Sequence, residues 1–408
     1  MSEALHALSP TSDARSGDRA GPMHITGAGA VTGYGWGRKR IWDGFLLGES
    51  AVKPVPGLDK YLDSPPYLSI ITGSGDIRDG KSRFTQALRF SGREAIVDAQ
   101  ERGWSPGPVV GVIHSLALGD VETYRDYYRQ EGDFAGTRRK LRSWLHMIPS
   151  TVIAMFMKEF EFHGPAMSVS ATCASSNVGM LTAKSWIDSG IASDVVLLAT
   201  DLSGIAENLP WFRDLGAAVL DLPPFDGCRP FQEGSRGFVG GEASVAMVLS
   251  KRPEGAYASV LGGAMTNDAY HAIALAPDNV EVFRCFREAT VNAGVDPSEV
   301  AYINAHGPGT AQCDAAEAKV LDELFPDAKG IFSVKPLVGH CQAAAGAVEM
   351  LATLYAFETG SVPAPPQVAP GHPRLVDGYT RREPGLMLKS SLGMGGHNAV
   401  LVVDEPHT

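Results

Sequence analysis

The order of predicted elements occurs twice along this chain, and that duplication limits the possible folds most strongly. Each copy has a strand, a loop with reactive side chains, a helix that ends at Gly, and a further strand. The first copy has a strand at 167–173 and a helix at 174–190, and the second has a strand at 301–307 and a helix at 343–360. Alternating strands and helices favour an α/β layered fold with helices packed on the sheets.

The size and composition of the chain suit two fused half-domains with a shared core. The chain has 408 residues, of which 44% are hydrophobic and 20% charged, as in ordinary globular proteins. We predict a disordered tail at 1–22, an N-terminal half at 23–255 and a C-terminal half at 256–408. The net charge of −11 argues against nucleic acid as a main partner.

The cysteines and the apolar segments indicate the compartment. The five Cys are irregularly spaced, which argues against a disulfide framework or a zinc site and favours a reducing cytoplasm. The first 21 residues lack the apolar stretch of a secretory signal. The uncharged stretch 162–183 is rich in Gly, Ser and Thr, so we expect no membrane span there.

Cys173 is the first candidate for chemistry, because it lies where a predicted strand meets a predicted helix. A thiol at a helix N-terminus feels the positive end of the helix dipole, which lowers its pKa and favours the nucleophilic thiolate. Its neighbours are small residues, so a substrate has room to approach. The alternative interpretation is a buried structural cysteine.

Two histidines lie at comparable junctions in the second half. His306 follows a strand in a Gly-rich loop, and His340 precedes a helix of small residues, where an imidazole can remain neutral. Lys335 and Glu317 are candidates for a supporting ion pair, and the turn at 393–398 offers backbone N–H groups to an oxyanion. Taken singly, these features also fit ordinary polar residues, solvated charges and a hairpin.

Six segments together resemble one family, in order and in spacing. They read HITGAGAVTGYGWG, HGPAMSVSATCASSN, CRPFQEGSRGFVGGEASVAMVLS, INAHGPGTAQCDAAEA, SVKPLVGHCQAAAGAVE and SLGMGGHNAVLV. They are similar to the motifs of the β-ketoacyl synthases of the thiolase superfamily, across 23–403. The resemblance implies the thiolase fold, with two five-stranded α/β halves in a five-layer αβαβα sandwich, and a dimer, either homodimer or ketosynthase heterodimer.

The resemblance also implies the roles of the catalytic residues. Cys173 would accept an acyl group from acyl carrier protein, and His306 and His340 would drive decarboxylative condensation with a malonyl unit. Lys335 and Glu317 would fix the electrostatics and ring position around His340. The substrates would be carried on the phosphopantetheine arm of the carrier protein, with no further cofactor and no metal.

Other residues would bind substrate or partner by the same resemblance. The N–H groups of Cys173 and Met394 would form an oxyanion hole, with Met394 and Gly395 as a gate. Residues expected to contact substrate are Thr310, Asp314 and Asn398. Residues expected to dock the acidic carrier protein form a basic cluster: Arg138, Arg139, Lys140 and Arg142.

The sequence departs from the family pattern along the substrate path. Pro308 replaces the usual Thr after His306–Gly307, Met394 replaces a usual Phe, and 113–120 lacks the usual Gly-rich turn. These changes favour a polyketide or unusual acyl substrate over housekeeping fatty-acid synthesis. Two alternatives remain open, a non-condensing partner subunit that sets chain length and an acyltransferase that does not decarboxylate.

Overall fold

The computed structural model describes residues 21–73, 82–129 and 144–406. The strands, in chain order from β1 to β16, are Met23–Thr32, Gly35–Trp36, Lys53–Pro54, Tyr67–Ser69, Val110–Ser115, Ala166–Val169, Asp194–Asp201, Gly240–Gly241, Ala243–Ser250, Ala258–Asn267, Val300–Asn304, Gly330–Phe332, Ser361–Pro363, Tyr379–Arg381, Leu386–Gly393 and His397–Asp404. The α-helices are Arg38–Leu47, Arg83–Glu101, Val121–Arg129, Pro149–Phe160, Ser175–Asp188, Leu209–Asp214, Pro224–Gly227, Val280–Ala293, Ala311–Leu324, Lys335–Val338 and Ala345–Thr359.

The main sheet consists of two five-stranded halves with the same internal arrangement. One half has the order β6-β5-β7-β9-β1, and the other has the order β12-β11-β15-β16-β10. In each half, the second strand pairs in parallel with both its neighbours, and the next two pairings are antiparallel. The duplication predicted from the order of elements is therefore present in topology and in strand direction.

A short antiparallel contact joins the two halves into one sheet. Met23, His24 and Ile25 of β1 pair with residues of β10 from Val260 back to Ala258. With β2, which pairs with β1, 11 of the described strands belong to this main sheet. The predicted boundary at residue 256 falls in the connection between β9 and β10, and the predicted tail at 1–22 lies almost wholly outside the described residues.

Two central helices lie between the halves and carry the site. The first central helix is Ser175–Asp188, and the second is Ala345–Thr359, which is buried from Ala345 to Ala356. They approach so closely that a Cβ on Gly346 would lie 2.5 Å from Asn177 Oδ1. Such an approach needs a residue without a side chain, so Gly346 sets the spacing of the layers.

Each central helix begins with the same irregular turn. Thr172 has a φ of 48° and Gln342 a φ of 46°, and each is the first residue of a 3-10 turn that leads into the helix. The predicted strand at 167–173 is too long for this reason, because β6 ends at Val169. Non-Gly residues rarely adopt positive φ, and they concentrate at functional sites. No helix within the described residues is long and apolar enough to cross a membrane.

Candidate active site

Cys173 lies in the 3-10 turn at the N-terminus of the first central helix, with its side chain buried. The strained residue before it is held by hydrogen bonds on both sides. Thr172 Oγ1 donates to the Met394 carbonyl at 2.9 Å, and Ser175 Oγ donates to the Thr172 carbonyl at 2.7 Å. These bonds stabilise the turn and fix the nucleophile beside the β15–β16 connection.

Burial determines the acidity of the Cys173 thiol. Burial raises its pKa to about 11, although Lys335 and a hydrogen bond from the Met394 N–H both act to lower it. The sequence-based prediction of a lowered pKa is therefore wrong, because desolvation of a thiolate outweighs a helix end. At physiological pH, Cys173 of the resting protein is therefore mainly the neutral thiol.

His340 is fixed through its backbone and through both sides of its ring. Its N–H donates to the Val239 carbonyl at 2.7 Å, and the Phe238 ring meets the imidazole edge-to-face at 4.8 Å. The N–H of Gln342 donates to His340 Nδ1 at 3.2 Å. Because Nδ1 accepts this bond, the ring proton of the neutral imidazole lies on Nε2.

His306 follows β11 and is held by a buried carboxylate. The Glu317 carboxylate accepts from the His306 N–H at 2.8 Å, from the Gly307 N–H at 2.7 Å and from Ser390 Oγ at 2.5 Å. Lys335 Nζ lies 3.3 Å from His306 Nδ1 and also donates to the His306 carbonyl. An ammonium only donates, so Nδ1 accepts and the ring proton is again on Nε2.

The three candidate side chains converge. A ring nitrogen of each histidine and Cys173 Sγ all lie within 4.8 Å of one another, and the ring centroids of His306 and His340 are 5.4 Å apart. Both Nδ1 atoms are occupied from the protein side. Each ring therefore offers an Nε2–H donor to a group bound beside the thiol.

The buried charges differ from the predicted ion pair. Lys335 pairs with Glu349 rather than with Glu317, and Lys389 Nζ lies 2.7 Å from the other oxygen of Glu349. Glu317 and Lys335 both contact His306 rather than His340, although the Lys335 charge also acts on His340, as predicted. A buried carboxylate next to two ammonium groups explains how the centre carries charge without contact with water.

Both imidazoles are neutral at physiological pH. The pKa values of His306 and His340 lie well below the ordinary value, first because of burial and next because of the nearby Lys335 ammonium. Lys389 acts in the same direction on both rings. Neutral rings with Nε2–H groups can stabilise a developing negative oxygen by hydrogen bonds.

The same three side chains are of types that can also bind a metal ion. Binding at Nε2 would move each ring proton to Nδ1. There it would face the Lys335 ammonium and the Gln342 N–H, which are both donors. The hydrogen bonds around the rings therefore oppose a metal ion and fit an oxyanion.

A largely apolar cavity of about 380 Å³ leads to this centre. Its wall includes Cys173, both histidines and apolar side chains from several segments: Phe212, Leu215, Phe238, Ile273, Leu275, Leu392 and Met394. An apolar cavity with a few convergent polar groups is typical of a site for an organic substrate.

The predicted substrate-contact residues divide into two groups. Thr310 and Pro308 line the cavity. Asp314 instead accepts from the N–H groups of Gly309 and Phe231, and burial raises the pKa of its carboxyl to about 7. Within the described residues, Asp314 is thus a support for the Pro308–Thr310 loop behind the cavity wall.

Asn398 also lies behind the cavity wall. It is buried and donates to Asp268 Oδ1 at 2.7 Å and to Thr266 Oγ1 at 3.3 Å. These bonds join β16 to β10 and the loop that follows β10. The described geometry therefore gives Asn398 a supporting position rather than the predicted substrate contact.

The β15–β16 connection brings Met394 to the nucleophile. Met394 lines the cavity with a half-buried side chain, and its backbone contacts Thr172 and the Cys173 thiol. Gly393 is required by packing, because a Cβ there would lie 2.5 Å from Thr172 Oγ1. Gly395 has a φ of 84°, which suits glycine in a tight turn. Sterics and backbone conformation therefore account for both glycines, and a gate at Met394 and Gly395 stays a prediction.

The predicted docking cluster of Arg138, Arg139, Lys140 and Arg142 lies outside the described residues, so its role stays a prediction.

Two family models match the chain in succession. The N-terminal domain model of β-ketoacyl synthase matches residues 78–255, and the C-terminal domain model matches residues 257–368. The chain belongs to the β-ketoacyl synthase family. Membership confirms the predicted family and the predicted class of acyl-transferring condensing enzymes.

Curated relatives of this ketosynthase align over nearly its whole length. It is 30% identical to 3-oxoacyl-[acyl-carrier-protein] synthase I, chloroplastic, of Hordeum vulgare, over 93% of this chain and 88% of the relative. It is also 30% identical to 3-oxoacyl-[acyl-carrier-protein] synthase 2 of Staphylococcus aureus, over 93% of this chain and 97% of the relative.

Solved structures confirm the predicted fold of the ketosynthase. One is a complex of a type II polyketide acyl-carrier protein with its ketosynthase bound to the hexaketide. Its matched chain has a TM-score of 0.82 and 23% sequence identity, and the match covers 95% of this chain and 100% of the matched chain. Another is the ishigamide ketosynthase/chain length factor, with a TM-score of 0.78 at 23% identity over 95% and 99%.

Two charged residues at the centre of this ketosynthase escaped sequence reasoning. Glu349 lies in the apolar second central helix and Lys389 in the apolar strand β15. The available signal was a single charge in a fully buried segment, since Lys and Glu are almost never fully buried unless paired.

Proposed function

We propose that this ketosynthase elongates an acyl chain in two steps, the first of which loads Cys173. An acyl thioester on the phosphopantetheine arm of acyl carrier protein would exchange with the Cys173 thiol. The carbonyl carbon forms a bond to Cys173 Sγ and loses its bond to the carrier sulfur, which leaves with the thiol proton. The N–H groups of Cys173 and Met394 would stabilise the tetrahedral oxyanion.

In the second step, a malonyl thioester would lose carbon dioxide beside His306 and His340. The electron pair of the broken carbon–carbon bond forms an enolate, whose oxygen accepts hydrogen bonds from the two Nε2–H groups. The enolate carbon attacks the Cys173 thioester, and the cysteine sulfur leaves. The products are a β-ketoacyl thioester on the carrier protein and a free thiol after protonation.

The observation that carries this proposal is the convergence of Cys173 Sγ with two imidazoles whose Nδ1 atoms are already occupied. The test is release of carbon dioxide from malonyl-acyl carrier protein, measured together with the mass of the carrier-bound product. Condensation predicts coupled release and a product two carbons longer. Acyl exchange without carbon dioxide release would instead establish a plain acyltransferase.

A chain-length partner subunit is the second alternative. Such partners typically lack the nucleophilic cysteine, whereas Cys173 is present here at the head of the central helix. Acyl labelling of the isolated protein discriminates the two functions. If this protein takes up no acyl group by itself but increases the chain length made by a companion ketosynthase, it acts as a chain-length partner subunit.

We propose that the substrate is a polyketide chain or an unusual acyl chain. The apolar cavity suits a chain of carbon atoms, and Pro308 in its wall offers no hydroxyl to the phosphopantetheine arm. Loading rates for a panel of acyl-carrier proteins test this. A sharp preference for saturated fatty acyl groups of housekeeping length would contradict it.

We also propose a homodimer formed through the β6 edge of the sheet. Among the described strands, β6 ends the sheet order and has an unpaired outer edge, and Met167 on it is 42% exposed. An exposed edge strand with an apolar side chain is suited to pairing with another chain. Light scattering after chromatography should give twice the chain mass, and Met167→Lys should reduce it. A monomer at micromolar concentration would contradict the proposal.

A further inference from the structure

Lys389 is a charged residue in a strand that is buried throughout. All residues of β15 are buried, and the Lys389 side chain is 0% exposed. Its ammonium lies against Glu349 Oε2, the carbonyl of Ser390 and, at 3.5 Å, Ser391 Oγ. A lysine side chain therefore ends in a pocket of oxygen atoms and not in solvent.

Packing alone does not explain this residue. A buried ammonium is costly, and an apolar side chain of similar volume usually serves a core at least as well. Glu349 also has a first cation, because Lys335 contacts its other oxygen. The Lys335–Glu349 pair is therefore already balanced in charge and does not by itself require Lys389 as a second buried cation.

The second cation balances the second carboxylate. Lys389 pairs with Glu349 and also acts on Glu317. Burial raises the pKa of the Glu317 carboxyl, whereas its hydrogen bonds and the positive charge of Lys389 favour the ionised form. The ionised Glu317 accepts from the backbone N–H groups of His306 and Gly307. Two ammonium groups and two carboxylates together leave the buried set without net charge.

We propose that Lys389 is a positioning residue of the condensing centre, whose ammonium acts through Glu349 to keep His306 a neutral Nε2–H donor. The proposal deepens the function proposed above. The contacts form a continuous path, since Glu349 contacts Lys335, and Lys335 Nζ lies 3.3 Å from His306 Nδ1. Lys389 does not line the cavity, so it acts through other residues.

The charge of Lys389 has a definite expected effect. The groups that face the two imidazoles are Lys335, Lys389, Glu317, Glu349, Cys173 and the rings themselves. Removal of one ammonium leaves the buried set with a net negative charge, which favours the imidazolium form of both rings. An imidazolium that forms before substrate binds carries a proton on both ring nitrogens. Its Nδ1 can then no longer accept the hydrogen bonds that set the neutral tautomer.

The test compares Lys389→Met with the unaltered protein by nitrogen-15 NMR of labelled imidazoles, without any substrate. At the lowest pH where both proteins are folded, the ratio of imidazolium to imidazole at His306 should rise about tenfold in Lys389→Met. Lys184→Met is the matched control, because Lys184 is a buried lysine paired with Asp188 on the first central helix. An unchanged ratio in Lys389→Met would overturn the proposal.

A second variant separates charge from fold stability. Lys389→Met combined with Glu349→Gln removes one charge of each sign, so the imidazolium ratio should return towards that of the unaltered protein. If the double variant protonates its imidazoles as readily as Lys389→Met does, charge balance is not the cause. This measurement stays valid if the protein proves to have another activity, because no substrate is used.

Chemical rescue gives the activity readout. Lys389→Ala should lower malonyl decarboxylation and restrict it to higher pH, while ammonium ions, which are small enough for the vacated oxygen pocket, should restore it at least fivefold. Tetramethylammonium is the control, since it is too large and has no N–H donor. Equal effects of the two ions would refute a specific cation role, whereas decarboxylation absent from the unaltered protein would refute the proposed function instead.

Discussion

Replacement of His340 by Ala should separate the two half-reactions. The change removes one of the two Nε2–H donors that face the enolate oxygen, while the backbone N–H groups at Cys173 and Met394 remain. Loss of one such donor typically lowers the rate by ~10²–10³, which corresponds to about 2.7–4 kcal/mol. We therefore expect that loss in decarboxylation, with loading of Cys173 altered much less.

The same change also removes packing, so stability must be measured in parallel. The edge-to-face contact between His340 and Phe238, at 4.8 Å, contributes about 0.5–1.5 kcal/mol. His340→Gln is the matched variant, because its amide restores an N–H donor, and it should recover part of the decarboxylation rate. Intact-mass loading rates and carbon dioxide release report the two steps. Equal losses in both steps, or no recovery in Gln, would refute the division of labour.

Three further predictions concern the gate, the docking cluster and the pH dependence. Met394→Phe should narrow the range of acyl groups that load, because a stiff ring replaces a flexible thioether at the cavity wall, whereas an unchanged loading profile would place the gate elsewhere. Charge reversal of Arg138 and Arg139 should raise KM for acyl-carrier protein and leave turnover of a small pantetheine thioester unchanged, and equal effects on both would mark the cluster as structural. Because His306 and His340 have pKa values below the unfolded value of 6.5, the unfolded chain binds more protons below that pH. Their contribution to stability is therefore present above pH 6.5 and is lost as the pH falls, by about 1.4 kcal/mol per pH unit for each ring. The free energy of unfolding in urea should consequently decline less steeply between pH 7 and pH 5 in His340→Gln than in the unaltered protein.

The fold was predictable because its signals are local and repeated. The alternation of strands and helices, and the glycines that end them, indicated two similar halves, which the matching strand orders confirm. Strand ends were less predictable, since the turn at Thr172 depends on a hydrogen bond to Met394, which is 222 residues away in the chain.

The catalytic trio was predictable from its motifs, whereas its electrostatics were not. Burial decides the pKa of Cys173, and burial is a property of the packed layers rather than of the neighbouring residues. Likewise, Lys335 pairs with Glu349, which is 14 residues further along the chain. Lys389 reaches the same carboxylate only because the second central helix packs against β15. The sequence made Glu317 a reasonable ion-pair partner for Lys335, but the Glu317 carboxylate instead accepts a hydrogen bond from the backbone N–H of His306.

Acylation of Cys173 is the most direct test of the account, because every step of the proposed reaction passes through that sulfur. The measurement is the intact mass of the protein after incubation with acyl-carrier protein, in the unaltered chain, in Cys173→Ala and in Cys341→Ala. Cys341 is a matched control, since it is buried at the turn of the second central helix and its thiol donates to backbone carbonyls. The account predicts one acyl group on the unaltered chain and on Cys341→Ala, and none on Cys173→Ala. An acyl thioester on Cys173→Ala would contradict it.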